Sequence, residues 1–376
     1  MGSSQIATGG YLYMEETRVK EQGQLEQVHA KMRSRGNDGV EASGVSPLNW
    51  AVLGCGVIAN EMAAALKRMG KRLYAVGNRT HEKAVEFAET YGVEKVYDRP
   101  EDMFTDPEVD IIYLTTPHNT HMSFLRQALG NGKHVLCEKS ITLNSTELEE
   151  AMELAEKNGV ILAEAMTIWH MPLYKELWRM KDEQRLGKVQ MIQANFGSFK
   201  EYDMRNRFFN RELAGGALLD IGVYAISLVR SFMESCPDQV KSQVKYAPTG
   251  VDEQAGILLM NPEGQMAGIT LSLHSKQPKR VVISCEKGYV EITEYPRAER
   301  ALIVDAETGK KRELLAGHTA DALLYEMRDM ESAVLKNDPG VMKLAMTADV
   351  MRLMTGLREE WGMKYPEEEK ENFRKP

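Results

Sequence analysis

The sequence predicts an α/β protein, with a doubly wound parallel sheet first and then an α+β domain built on a large, mainly antiparallel open sheet. Three observations carry this expectation. Apolar strands alternate with helical patterns from residue 49 to about 163, as in a sheet buried on both faces. After about residue 165, amphipathic strands follow one another through turns such as Asn261-Pro-Glu-Gly264. Finally, a Gly54-x-Gly56-x-x-Ala59 turn joins the first apolar strand to the first helical pattern. The implied division is an extension over 1–47, a first domain over 48–166 and a second over 167–376.

In chain order, the extension holds Gly and Ser, then a charged helical-looking piece over 15–35, then Gly, Asn, Asp and Ser up to Pro47. Leu25, Val28 and Met32 fall at helical spacing, so two readings are open: a solvated or partly helical tail, and an arm that contacts another subunit. Strands are expected over 49–53, 72–77, 109–115, 133–137 and 160–163, with helices over 57–69, 81–91, 120–130 and 145–158. Asn144 and Glu147 have capping-box spacing at the head of the last helix. The second domain should hold strands over 188–199, 254–260, 265–274, 280–286, 289–293 and 301–304. A Gly-rich segment turns helical over 215–233, and two helices close the chain over 321–335 and 343–361.

At 376 residues and 43% hydrophobic, the chain can bury two cores. Its net charge of −8, without a basic cluster, excludes a sequence-independent nucleic-acid surface. No apolar run reaches the roughly 18 residues of a membrane span, and the stretch 11–14 is too short for a signal-peptide core. Cys55, Cys137, Cys236 and Cys285 are scattered without a C-x-x-C pair, so no disulfide framework or metal site is expected. A cytoplasmic protein without membrane partners is the expectation.

The glycine turn has the chemistry of a dinucleotide site. Gly54 permits the tight turn, Gly56 lets backbone approach a pyrophosphate, Ala59 lets helix and strand pack, and the free N–H groups from Val57 and Ile58 onward face the anion. After the second strand the chain reads Gly77-Asn78-Arg79-Thr80, without the acid that marks an NAD site. Arg79 suits a ribose 2′-phosphate and Thr80 can add a hydrogen bond, which favours NADP over NAD. The competing reading of Arg79 is a solvated arginine at a helix start, where the helix dipole disfavours it.

Three further stretches carry polar chemistry. The first, Thr115-Thr116-Pro117-His118-Asn119-Thr120-His121, follows a strand and serves either a cofactor ribose or a capped strand-to-helix turn. Next, Cys137-Glu138-Lys139-Ser140 also follows a strand, where Glu138 and Lys139 are otherwise an exposed ion pair. The third, Gly215-Gly-Ala-Leu-Leu-Asp220-Ile-Gly-Val-Tyr224, opens a helix and sets Asp220 and Tyr224 on one face. Packing alone does not call for that polar pair. The segments 195–202 and 205–209 are expected to run past the same site.

In this order, the motifs resemble those of the Gfo/Idh/MocA oxidoreductases over residues 49–360, most closely the dihydrodiol dehydrogenase and D-xylose dehydrogenase group, where Tyr rather than His stands at position 224. The resemblance implies an N-terminal Rossmann domain and an NAD(P)-dependent oxidoreductase. Such an enzyme moves a hydride between nicotinamide and a hydroxyl or carbonyl of a sugar, polyol or trans-diol. It makes Lys139 catalytic. It also implies cofactor contacts from Gly54, Gly56, Val57, Ile58, Asn78, Arg79, Thr80, Thr115, Thr116, Pro117, His118, Asn119, His121, Glu138 and Lys139, and substrate contacts from Lys139, Trp169, His170, Asp220 and Tyr224.

Two departures stand out. Ser140 replaces the proline of the family's Glu-Lys-Pro, which should loosen that loop, and Trp169 stands where the dihydrodiol group has arginine. Trp169 and His170 are then either a pocket wall or core and hinge packing. Alcohol oxidation removes a hydride and a proton. Tyrosine has a reference pKa of about 10, and a nearby ammonium favours the phenolate. Tyr224 is therefore read as the acid/base, Lys139 as its electrostatic partner and a donor to the substrate hydroxyl, and Asp220 as the orienting group. Whether Lys139 or Tyr224 takes the proton is open. A keto-sugar or dicarbonyl reductase and a non-catalytic NADP-binding regulator are the alternatives. A homodimer or higher even oligomer is expected through the sheet face over 254–304.

Overall fold

The computed structural model describes residues 48–371, so the reading of the extension over 1–47 lies outside the described residues. The first sheet comprises β1 (Trp50–Leu53), β2 (Ala75–Gly77), β3 (Lys95–Val96), β4 (Ile111–Leu114), β5 (His134–Glu138) and β6 (Leu162–Ala165). Its order is β3-β2-β1-β4-β5-β6 and its pairs are parallel. The chain runs outward from β1 in both directions, which opens a crevice beyond the carboxyl ends of β1 and β4.

Both faces of this sheet are covered, which is why β1 and β4 are buried at every residue. The covering helices are α1 (Val57–Arg68), α2 (His81–Tyr91), the short α3 (Asp102–Thr105), α4 (His121–Gly130) and α5 (Ser145–Lys157). Asn144 caps α5 by accepting from Glu147 N at 2.9 Å. Glu147 answers to Leu143 N at 2.9 Å, one residue earlier than a reciprocal capping box requires.

After α6 (Pro172–Asp182) the second sheet holds β7 (Val189–Gly197), β8 (Gln239–Tyr246), β9 (Asp252–Met260), β10 (Met266–Ser272), β11 (Gln277–Cys285), β12 (Gly288–Thr293), β13 (Arg300–Asp305) and β14 (Lys311–Leu315). Its order is β14-β13-β12-β11-β7-β10-β9-β8. Central β7 runs parallel to β10 and antiparallel to β11, so the sheet is mixed as well as mainly antiparallel. The segment α7 (Val223–Phe232) crosses between β7 and β8 and packs on β7 and β10, burying Ile192, Ala194, Phe196, Ile269 and Leu271 on the inner face. The outer face leaves Met191, Leu258 and Met266 exposed.

The closing helices α8 (Ala322–Lys336) and α9 (Leu344–Glu360) are followed by α10 (Pro366–Glu371). Helix α8 returns to the first sheet, where Leu323, Met327 and Met330 share a core with Met62, Leu66 and Trp50. Trp50 Nε1 donates to Glu331 Oε1 at 2.9 Å inside that contact. The stretch Arg211–Phe232 has the length and hydropathy of a membrane span. Yet 83% of its apolar window lies inside the fold, and the 3-10 turn Arg211–Leu213 and π turn Leu218–Gly222 interrupt it.

Candidate active site

The glycine turn is shaped for a close anion. Gly54 has a φ of +107°, and a Cβ there would lie 2.6 Å from Thr115 Oγ1, so only glycine fits. Thr115 uses that hydroxyl to bond Leu53 O at 3.1 Å. Gly56 stands at the N-cap of α1 with no capping side chain, and a Cβ added to it would meet nothing within 4 Å. Val57 is 81% exposed, Ile58 is half-buried, and the first N–H groups of a helix lack intrahelical partners. An open cradle beneath unpaired donors fits a dinucleotide pyrophosphate.

At the end of β2, Asn78 Nδ2 donates to Thr80 O at 2.9 Å and fixes the turn. Thr80 precedes α2 without a side-chain cap bond, and Arg79 is exposed with no acidic partner among the described residues. A free guanidinium and hydroxyl thus stand where the ribose 2′ position falls in this fold.

The turn after β4 divides its duties. Thr116 Oγ1 accepts from Thr120 at 2.7 Å, and Pro117 is exposed. His118 Nε2 lies 3.0 Å from Lys139 O. Burial first, then His121 and Lys139, push the His118 pKa down to about 3, so its imidazole is neutral and donates to that carbonyl. His121 is fully buried, with Nε2 2.7 Å from Thr116 O and Nδ1 3.1 Å from Ser140 O. It clasps two loops and offers no surface to a cofactor, contrary to the sequence expectation. Asn119 also turns away, donating to Glu212 O at 3.2 Å and Glu367 Oε1 at 2.9 Å, because the second domain supplies acceptors on that side.

Strand β5 ends on Glu138, which accepts from the Tyr113 hydroxyl and, at 3.3 Å, from Lys139 N. The Lys139–Ser140 peptide is cis. Buried Ser140 donates to Leu219 O at 2.9 Å, so the loop expected to be loose is fastened to the segment that carries Asp220. Lys139 Nζ donates to Asp220 O at 2.7 Å, lies 3.4 Å from Asp220 Oδ1 and sits 4.9 Å from the Tyr224 ring centre. The π turn Leu218–Gly222 carries Asp220 directly ahead of α7, a kind of interruption that recurs at functional sites.

Electrostatics assign the protons. Burial opposes the ammonium of Lys139, but the Tyr224 oxygen once ionised, Asp220 and Glu138 raise its pKa, so the amine stays charged. Burial likewise opposes the Asp220 carboxylate, and the cations Lys139, Arg207 and Lys200 oppose burial, holding that group ionised below its usual range. Tyr224 is pushed above the ordinary phenol value, chiefly by burial, with Lys139 pulling the other way. It is therefore a neutral phenol, and its hydroxyl has no hydrogen-bond partner among the described residues.

Trp169 and His170, expected as pocket wall or hinge, are both fully buried. Trp169 packs against Trp178 with ring centres 6.3 Å apart, and His170 Nδ1 lies 2.8 Å from Asp329 Oδ2. Neither presents a free surface to a substrate. Other residues come forward instead. Arg297 pairs with Glu61 of α1 at 2.8 Å and its charge reaches Tyr224. Arg207 lies 3.5 Å from Asp220, while Lys200 and Lys279 add charge nearby. Asp252 accepts from Leu218 N at 2.6 Å beneath the segment that carries Asp220. The position of Lys200 and Arg207 in segments expected to pass the site was the one signal for them. Arg297 and Asp252 gave none.

Known proteins are similar to this chain. A model described as the oxidoreductase family, NAD-binding Rossmann fold, matches residues 48–166, and a Gfo/Idh/MocA C-terminal domain model matches 174–291. The trans-1,2-dihydrobenzene-1,2-diol dehydrogenase of Xenopus laevis is 30% identical over 331 residues, 84% of this chain and 99% of that protein. Its Mus musculus counterpart is 28% identical over 338 residues, 86% and 99% of the two chains. Among solved structures, a 3-ketoreductase from Actinomadura kijaniata in complex with NADP and TDP-benzene matches with a TM-score of 0.73 at 23% identity, over 83% of this chain and 97% of its own. A UDP-N-acetylglucosamine 3-dehydrogenase from Acidithiobacillus ferrooxidans gives 0.71 at 19% identity, over 83% and 97%. These two likenesses show the fold. With both family models falling on the two sheets whose meeting forms the site, the chain belongs to the Gfo/Idh/MocA oxidoreductase family.

Proposed function

We propose that this oxidoreductase prefers NADP and works by proton transfer through Tyr224, on a hydroxyl or carbonyl of a sugar, polyol or trans-diol. The carrying observation is the Lys139 ammonium held between Asp220 and the Tyr224 ring, with the Tyr224 hydroxyl unpartnered. When bound, the dinucleotide supplies or accepts the hydride. In the reducing direction, Tyr224 gives its proton to the carbonyl oxygen as the hydride reaches carbon, and the Lys139 ammonium stabilises first the alkoxide and then the phenolate. Asp220 positions Lys139. Residues 48–166 serve the cofactor, and 167–376 serve the substrate and self-association.

The protonated phenol favours reduction, since a ready proton donor is what a carbonyl needs, so a keto-sugar or dicarbonyl reductase is the second reading. The chain's free thiols support a cytoplasmic setting. Its uncovered sheet face supports a homodimer or higher even oligomer. The functional test follows the near-ultraviolet absorbance of reduced nicotinamide with polyols, diols, aldoses and their carbonyl counterparts. Turnover that is lost in Tyr224→Phe supports the reading. Tight NADP binding with no turnover on any member would leave the non-catalytic regulator.

A further inference from the structure

We propose that the substrate of this site is an anion, whose carboxylate or phosphate is bound by Lys200, Arg207 and Lys279 on the rim beside Tyr224. The proposal rests on the oxidoreductase reading of Lys139 and Tyr224. Lys200 Nζ lies 4.1 Å and Arg207 Cζ 4.2 Å from the centre of the same Phe208 ring. Lys279 Nζ lies 5.3 Å from the Phe196 ring, whose centre is 6.1 Å from that of Tyr224. Two aromatic contacts therefore form the wall: Phe196 joins Tyr224 to Lys279, and Phe208 joins Lys200 to Arg207, which reaches Asp220.

The charges on this wall do not balance. Asp220 is shared between Lys139 at 3.4 Å and Arg207 at 3.5 Å, and Lys279 has Glu294 at 2.9 Å. Lys200 Nζ has no acceptor among the described residues, although the residue is half-buried. Burial and the charges of Arg207, Lys139 and Lys279 lower its pKa, with Asp220 opposing. In a chain of net charge −8, cations converging on one partly desolvated wall imply a negative group that arrives from outside.

A neutral diol leaves that repulsion unrelieved, whereas an anionic substituent neutralises it with charge-assisted bonds. The cofactor phosphates do not serve. The pyrophosphate has the α1 N-terminus, and Arg79 lies two residues beyond β2, three strands from β5 and about 14 Å away at ordinary strand spacing.

The test is calorimetric titration of the NADP-loaded full chain with glucuronate, glucose phosphate and glucose, on the native protein, Lys200→Gln and Lys200→Arg. At least one anion should bind roughly tenfold or more tightly than glucose. Lys200→Gln should lose about 10- to 100-fold of that affinity, and Lys200→Arg should regain most of it, with NADP affinity unchanged. The arm that binds distinguishes carboxylate from phosphate. Equal binding of all three sugars, or no effect of Lys200→Gln, overturns the proposal. Turnover of neutral and charged carbonyl substrates alike also overturns it while leaving the oxidoreductase reading intact. Selective anion binding with no NADPH oxidation would do the reverse.

Discussion

Lys139 keeps its proton inside the protein because the acids around it, Asp220 and Glu138 among them, oppose the effect of burial, and the charge balance of the whole site follows from that. With the amine charged, the proposed mechanism assigns the proton exchange to Tyr224. The pH dependence has a definite sign. Tyr224 ionises above the ordinary phenol value of about 10. Carbonyl reduction, which needs the phenol, should be flat through neutral pH and fall only in strong alkali, while alcohol oxidation should rise with pH. A kcat profile for reduction that falls between about pH 6 and pH 8 would contradict this. Tyr224→Phe and Lys139→Ala should lose roughly 10²- to 10⁴-fold in turnover and still bind NADP. Arg79→Ala should weaken NADP more than NAD, and native binding of NAD about tenfold tighter than NADP would remove the assignment, since 2′-phosphate recognition rests on that free guanidinium. At this scale, Gly54 was legible from its turn and Asp220 and Tyr224 from their spacing on one helical face, while Lys139 was singled out by the family resemblance. Lys200 and Arg207 were legible only as members of segments expected to pass the site, and Lys279 on β11 was not, because a surface cation looks like any solvated one until folding gathers it with others.

The segment from Gly215 to Tyr224 is fixed by close approaches from both sides. A Cβ on Gly215 would lie 2.6 Å from Arg207 O, so the loop bearing Arg207 presses directly on this turn. Gly216 has a φ of +126°, and its Cβ would meet Asp252 Oδ1 at 2.1 Å. The other Asp252 oxygen accepts from Leu218 N and caps the segment. Asp252→Ala should therefore cost about 1 kcal/mol, the usual worth of a cap. Burial pushes the Asp252 pKa up to about 7, with its backbone donors and Arg358 opposing, against about 3.9 in an unfolded chain. Between these values the folded state holds a proton that the unfolded state has released, so native stability falls as pH rises. Asp252→Asn keeps an acceptor and removes that loss. Its stability relative to native protein should improve between about pH 4 and pH 7 and then level off, read as urea midpoints. A difference constant with pH would refute the role. The strongly periodic elements were legible here. The edge strands β8 and β14 were not, since Gln-Val-Lys-Ser-Gln-Val-Lys-Tyr is half-exposed and polar in the manner of strands that guard an edge. Nor was the π turn, which leaves no mark on an apolar helical pattern.

Across the whole molecule, the two sheets share more than their chain order suggests, because α8 buries Leu323 and Met327 against α1 and Arg297 reaches Glu61. The glycine turn after β1 and Tyr224 beside the second sheet are thus held by one packed body. Its outer face is different. Leu258 on β9 is 56% exposed and pairs with Gly268 of β10, while Gly256 pairs with Thr270, so the missing side chains of two glycines open a groove of about 630 Å³. Met191 and Met266, paired across β7 and β10, stand exposed beside it. Exposed apolar side chains around a groove on a broad sheet are what a self-complementary partner covers, and in the proposed dimer a second copy would supply Leu258 and Met266 to fill the space two glycines leave. The native protein should therefore scatter light at about twice its 42.4 kDa chain mass or a higher even multiple at micromolar concentration. Leu258→Asp with Met266→Asp should give a monomer that binds NADP as before, because the α1 turn lies on the other sheet. A native monomer, or a double variant that assembles unchanged, would show that this face is not the subunit contact.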